Sequence, residues 1–288
     1  MTPPTGTTMR TLVGTEVRCS VQGPLDDDGA ARPLLLLSGL GAPLETWAPL
    51  RTALGDRTTI AVDAPGTGGS PTPWWPTSVP GLARLAVALL DDLGVQHADV
   101  LGYSFGGTVA QELARRAPDR VGALVLAATN CGWGGLPGDP MALGSLLSPF
   151  PVRMLPPGRG SLRGLTGDPG PRGAFSVADA AWAARPPNPL GAWWQLVAIG
   201  GWSSAPWLGR LRAPTLVLAG AEDRVVPPAN AAQLARRIPG ARLALVPGAG
   251  HFFLLADDPA AGAAVVADFL REQDPPRSVV QRAADVST

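Results

Sequence analysis

The stretch "VLGYSFGGTVAQELA", Val100 to Ala114, decides how the chain is read. An apolar run stops at Gly102, passes a lone hydroxyl at Ser104, meets Gly106 and Gly107, and turns helix-like. A strand followed at once by a helix leaves room only for a tight turn. Gly102-Tyr103-Ser104-Phe105-Gly106 fits G-x-S-x-G in the strand–turn–helix setting that exposes a nucleophilic oxygen. The two glycines let neighbouring backbone approach while the serine takes an unfavourable conformation. The competing reading is a serine that merely caps the helix. Partners elsewhere in the chain separate the two.

Working outward, "PLLLLSG" (Pro33–Gly39), "TTIAVDAPG" (Thr58–Gly66), "DVLGYS" (Asp99–Ser104) and "GALVLAATN" (Gly122–Asn130) read as strands buried on both faces. "PTLVLAGAED" (Pro214–Asp223) and "ARLALVPGAGH" (Ala241–His251) read the same way. Between them lie helix candidates over Val79–Val95, Gly106–Arg120, Ala229–Gly240 and Asp258–Gln273, the last with Pro259 near the first helical position. This alternation predicts an α/β fold, a mainly parallel central sheet with helices on both faces. "TEVRCSVQG" (Thr15–Gly23) alternates and predicts an antiparallel edge strand.

The beat fails from Cys131 to about Trp207, a segment crowded with Gly, Pro and Trp. An interruption this long predicts an inserted helical lid rather than a loop. The expected organisation is therefore a first core part over 1–130, a lid over 131–207, a second core part over 208–274 and a flexible tail over 275–288.

Serine needs a base, and the chain has two histidines. His97, in "LGVQHADV", occupies a polar connection where a solvated side chain is expected. His251 sits on a glycine-flanked turn at the carboxyl end of a strand, before "FFLL". It is the candidate base and acid, with an imidazole packed beside Phe252 and Phe253 as the alternative. "LAGAEDRVVPP" ends the preceding strand with two carboxylates; Asp223 is favoured to orient the imidazole, Glu222 is the fallback, and a carboxylate paired with Arg224 is the plainer reading.

The loop "SGLGAPLETW" (Ser38–Trp47) is placed to hold an oxyanion. Gly39 and Gly41 permit a turn that aims the Leu40 N–H inward, and the Phe105 N–H is the second donor. A phosphate-binding loop is the rival, but neither glycine-rich phosphate motif is present and the chain has no lysine. Asp63, in "DAPGTGGS", is a further strand-end carboxylate, which the glycines beyond it assign to a turn. Phe105, Trp194, Trp202 and Phe252 are candidate substrate-binding residues, with the apolar core of a helical cap as the alternative for the tryptophans.

Bulk properties narrow the function classes. The 23 basic residues are all arginine and 23 acidic residues balance them, which removes the electrostatic case for nucleic acid or an anionic membrane. Cys19 and Cys131 form no framework and no C-x-x-C pair, so buried free thiols are expected. Two distant histidines and two isolated cysteines offer no metal-ligand set, and no cofactor is expected. With no signal-peptide pattern and no membrane-length apolar run, the chain reads as cytoplasmic.

"GLGAPLETW", "DAPGTGGSPTP", "GYSFGGTVAQELARRAPDRV", "LVLAATNCG", "WWQLVAIGGWSSAPWLGRLRAPTLVLAG" and "IPGARLALVPGAGHFFLL" together resemble the α/β-hydrolase superfamily along nearly the whole chain. Within it they are similar to the intracellular medium-chain-length polyhydroxyalkanoate depolymerases. The Ser…Asp…His order is that of the superfamily. The resemblance implies Ser104, Asp223 and His251 as a triad, a stored 3-hydroxyacyl polyester as substrate, and possible contact with storage granules. A small-molecule esterase, lactonase or thioesterase is the alternative. Three features depart from the family: Phe105 replaces a tryptophan common after the serine, Ser38-Gly39 replaces the usual His-Gly, and roughly Gly135 to Pro189 matches poorly.

Overall fold

The apolar runs become neighbouring strands of one sheet. A computed structural model describes residues 6–25, 31–147, 167 and 176–275. The strands are β1 (Gly6–Leu12), β2 (Thr15–Gln22), β3 (Leu34–Leu37), β4 (Thr59–Val62), β5 (Ala98–Tyr103), β6 (Val121–Ala127), β7 (Thr215–Gly220) and β8 (Arg242–Val246). Their order is β1-β2-β4-β3-β5-β6-β7-β8. β1 pairs antiparallel with β2 and β2 with β4; every pairing from β4 to β8 is parallel. The parallel strands therefore all finish on one side, where open α/β sheets carry their sites.

Eight helices follow in chain order: α1 (Ala48–Ala53), α2 (Val79–Asp92), α3 (Phe105–Arg116), α4 (Pro140–Leu147), α5 (Ser176–Ala184), α6 (Pro189–Gly200), α7 (Pro228–Arg237) and α8 (Ala260–Gln273) among the described residues. The strand period of two divides the core. Leu35, Leu37, Ile60, Val100 and Leu124 face a layer built from α2, α3 and α7. Leu34, Leu36, Leu101 and Val125 face the opposite layer, with Leu50 of α1 and Val266 and Phe269 of α8. Four consecutive leucines thus serve two cores at once, which is why they read as an unbroken apolar run.

Three expectations need correction. β2 is not an edge, because β1 covers it; the Thr-rich start of β1 carries too little apolar alternation to announce a strand. β8 is an edge rather than a strand buried on both faces, and Leu243 and Leu245 are exposed on it. Pro259 caps α8 from outside the helix instead of opening it. Of the expected lid, α4 to α6 are described; residues 148–166 and 168–175, and 276–288 of the expected tail, lie outside the described residues.

Helix α3 lies against β3 and β5 because glycine removes side chains at the contact. A Cβ at Gly106 would stand 2.0 Å from the Leu37 carbonyl oxygen, and one at Gly102 would stand 2.5 Å from the Gly106 carbonyl oxygen. Both clashes are with backbone, which cannot rotate aside. Gly106→Ala is expected to cost about 3 kcal/mol or more of stability, read from the urea midpoint at unchanged m-value.

Candidate active site

Ser104 joins β5 to α3 with φ 53° and ψ −117°, a conformation that side-chain-bearing residues rarely adopt. Three bonds hold it there. Its N–H donates to the Ala127 carbonyl at 2.8 Å, and its carbonyl accepts from the Gly107 N–H at 2.9 Å and the Thr129 hydroxyl at 2.8 Å. Such over-determination is what keeps a strained backbone from relaxing. The Ser104 side chain makes no capping bond to α3, so the capping reading fails.

The Ser104 Oγ instead lies 3.1 Å from His251 Nε2. On the other side of the ring, Nδ1 lies 2.8 Å from Asp223 Oδ2. Asp223 Oδ1 accepts from the N–H groups of Val225 and Val226, each at 2.8 Å, which fixes the carboxylate plane. A carboxylate can only accept, so His251 Nδ1 carries the ring hydrogen and Nε2 is left to accept from the serine. Both His251 and Asp223 are buried. Glu222 is exposed and plays no part in this line, and His97 is also exposed. Among the described residues, no three His, Cys, Asp or Glu groups converge as a metal-ligand set requires.

Two loops must meet for this line to form. A Cβ at Gly220 would stand 2.3 Å from the Gly250 carbonyl oxygen, so the turn before His251 rests on the end of β7. The Glu222 N–H donates to the Ala249 carbonyl at 2.9 Å and ties the two loops together. Tyr103, the chain's one tyrosine, donates its hydroxyl to the His251 carbonyl and places its ring edge-on to Trp47, centroids 6.1 Å apart. The Trp47 indole N–H reaches Ser38 Oγ at 2.7 Å. Tyr103 thus ties the elbow strand to the histidine turn, a role its place inside an apolar run did not signal.

The loop after β3 runs beside the serine: a Cβ at Gly39 would stand 3.5 Å from Ser104 Cβ. Gly41 has φ +64°, and the Ala42 N–H closes a turn on the Gly39 carbonyl at 3.1 Å. Phe105 opens α3, and a first-turn N–H has no partner within its helix.

Asp63 braces this loop from below. Its carboxylate accepts from Arg18 Nε at 2.6 Å, the Leu44 N–H at 2.7 Å and the Gly69 N–H at 2.8 Å. Arg18 also grips Glu45 with both terminal nitrogens, at 2.8 and 2.7 Å. Burial pushes the Asp63 carboxyl up, against the pull of the Gly69 N–H and Arg18. Burial also pushes Glu45 up, but Arg18 outweighs it and holds that carboxyl below its usual range. The Glu45 pairing therefore stabilises the fold above that range and fades as pH falls through the lowered value. Arg18→Met leaves a wholly buried carboxylate without its cation, and is expected to cost about 3–5 kcal/mol in chemical denaturation at neutral pH.

The candidate substrate residues divide. Phe105 is buried and, with Leu37, Val62, Leu82 and Val109, lines an apolar cavity of about 30 Å³. Phe252 packs edge-on to the His251 ring at 5.3 Å and Trp182 at 5.8 Å. Trp194, half-buried on α6, donates its indole N–H to the Pro73 carbonyl at 3.2 Å. Trp202 belongs elsewhere: it is buried in the core beside Trp207 and donates to Glu112 of α3 at 3.1 Å. Its flanking glycine and serines hid a core residue inside the irregular segment. Patterning likewise gave no signal for Arg18 or for Gln195 of α6, whose side-chain oxygen accepts from the Gly41 N–H at 3.0 Å.

Comparison with known proteins agrees with the fold. A profile of the α/β-hydrolase fold family matches residues 32–258. A poly(3-hydroxyalkanoate) depolymerase of Ectopseudomonas oleovorans is 39% identical over 249 residues, covering 84% of this chain and 85% of that one. A pimeloyl-[acyl-carrier protein] methyl ester esterase of Aromatoleum aromaticum is 33% identical, covering 76% of this chain and 90% of its own. Among solved structures, the enol-lactonase of Burkholderia xenovorans superposes with a TM-score of 0.74 at 26% identity, covering 92% of this chain and all (100%) of the other.

Proposed function

The chain belongs to the α/β-hydrolase family, and from that premise we propose that it is a serine hydrolase cleaving aliphatic 3-hydroxyacyl esters through an acyl-enzyme. The observation that carries the reading is the 3.1 Å approach of His251 Nε2 to a serine oxygen on a strained turn. His251 takes the proton of Ser104 as its oxygen attacks the ester carbonyl. Asp223 keeps the imidazole oriented and stabilises its cation. The N–H groups of Leu40 and Phe105 receive the negative charge on the carbonyl oxygen. His251 then returns the proton to the leaving alcohol, and water activated by the same ring releases the acid.

The ester class is supported by the relationship to the Ectopseudomonas depolymerase over most of both chains. Phe252, edge-on to the His251 ring, supplies an apolar wall beside the reacting groups, as an alkyl chain requires. In this reading residues 131–207 act as a lid, and Trp74 and Trp75, both largely exposed on the loop that α6 touches, meet an apolar granule surface inside the cell.

A second reading keeps the same residues and exchanges the polymer for a soluble ester, lactone or thioester. The kinship to a methyl ester esterase favours it. Initial rates on polymer granules, 3-hydroxyacyl oligomers, lactones and acyl thioesters, with products identified by mass spectrometry, test the two. Turnover of soluble esters with none on granules or oligomers replaces the first reading with the second.

A further inference from the structure

Helix α6 carries a single side-chain amide, Gln195, on an otherwise apolar twelve-residue segment. That amide is buried, at 1% exposure, so it cannot be a substrate contact in this arrangement. A buried amide is costly unless both of its ends are satisfied. Here both are: the oxygen accepts from the Gly41 N–H at 3.0 Å, and the nitrogen donates to the Thr67 hydroxyl at 2.8 Å. The bonds join three segments far apart in the chain: α6, the loop after β3, and the loop after β4.

The location matters because of which peptide planes are held. The Gly39 carbonyl and the Leu40 N–H share one rigid plane, and that carbonyl already accepts from the Ala42 N–H. The next plane, Leu40 carbonyl to Gly41 N–H, is held by Gln195. Leu40 is therefore held on both sides, its own N–H plane by the turn to Ala42 and the following plane by the glutamine. A positive-φ glycine next door would otherwise let that plane swing.

Helix α6 is itself seated firmly. A Cβ at Gly191 would stand 2.1 Å from the Gly66 carbonyl oxygen, so the helix and the loop after β4 touch backbone to backbone. Trp194 adds its bond to Pro73 one turn on. A shift of α6 is thus transmitted to both loops.

We propose that Gln195 is a positioning residue, through which helix α6 sets the direction of the Leu40 N–H and hence the quality of the oxyanion hole. The inference rests on the serine-hydrolase reading above. It makes a helix of the expected lid part of the catalytic machinery, in addition to any wall it gives the substrate.

The test is Gln195→Met, which keeps length and removes both bonds, assayed on p-nitrophenyl butyrate and by the rate of Ser104 labelling with a fluorophosphonate. Loss of a whole oxyanion donor costs about 10²–10³ in rate, so a misdirected one is expected to lower kcat about 10–100-fold. KM should stay within about two-fold and labelling should slow in parallel, because both reactions need the same donor. Thr67→Val should move kcat the same way by a smaller factor, and Thr67→Ser, which retains the hydroxyl, should recover most of that loss. Should Gln195→Met fail to fold, the Thr67 pair decides alone. An unchanged kcat, an effect confined to KM, or equal activity of the two Thr67 variants overturns the proposal. A wild-type protein inert to both ester and fluorophosphonate would instead overturn the serine-hydrolase reading beneath it.

Discussion

Ser104→Ala is expected to lower kcat for ester hydrolysis by about 10⁴–10⁶-fold while leaving KM and the fold nearly unchanged. The size follows from the division of labour. In the proposed mechanism the serine oxygen forms the covalent bond, and without it His251 has no proton to take at 3.1 Å. The residual rate is what the oxyanion donors and binding supply to an attacking water. Activity of Ser104→Ala within ten-fold of wild type would remove the serine from the mechanism.

A companion variant separates chemistry from strain. The Ser104 backbone lies at φ 53° and ψ −117°, a region that glycine enters freely and other residues enter at about 1–3 kcal/mol. Ser104→Gly should therefore be as inactive as Ser104→Ala yet more stable by about that amount in urea. Equal stability of the two would mean that the turn is not strained by its side chain.

Much of this arrangement is legible in the sequence, and the physical reason is that it is local. The elbow is specified by five consecutive residues from Gly102 to Gly106, and the strands that flank it are unbroken apolar runs. The choice of Asp223 over Glu222 was open in sequence, because both end the same strand. Burial and the two N–H groups of Val225 and Val226 resolve which of them faces the imidazole. What stayed illegible is what long-range packing decides. Gln195 meets Gly41 across 154 positions, and Arg18 meets Asp63 across 45, with no local pattern to link them. Trp202 misled for a related reason. In a Gly- and Pro-rich segment neither helical nor strand period applies, so a tryptophan's address cannot be inferred from its neighbours. β1 gives no strand signal because its exposed side chains are Thr7, Met9 and Thr11, with the apolar one turned outward, and its pairing is set by β2 rather than by a buried apolar face of its own.

Asp223→Asn carries the second large effect, expected at about 10⁴-fold in kcat near neutral pH. The substitution is nearly isosteric, and an asparagine oxygen can still accept from the Val225 and Val226 N–H groups that Oδ1 now engages at 2.8 Å. The loop should keep its shape, and the thermal midpoint should fall only modestly. What changes is the atom 2.8 Å from His251 Nδ1, where a carboxylate oxygen gives way to an NH₂ group. That group can only donate, so Nδ1 must become an acceptor and the ring hydrogen moves to Nε2. The hydrogen then points at Ser104 Oγ, and the imidazole can no longer take the serine proton. The same geometry predicts that Glu222→Gln, altering an exposed carboxylate one residue away, leaves kcat within about two-fold, since isolated surface charges contribute little. Measured side by side on one ester, the two variants discriminate the acid: a large loss in Glu222→Gln with little in Asp223→Asn would reverse the assignment. A large loss in both would mean that the loop, rather than one carboxylate, orients the histidine.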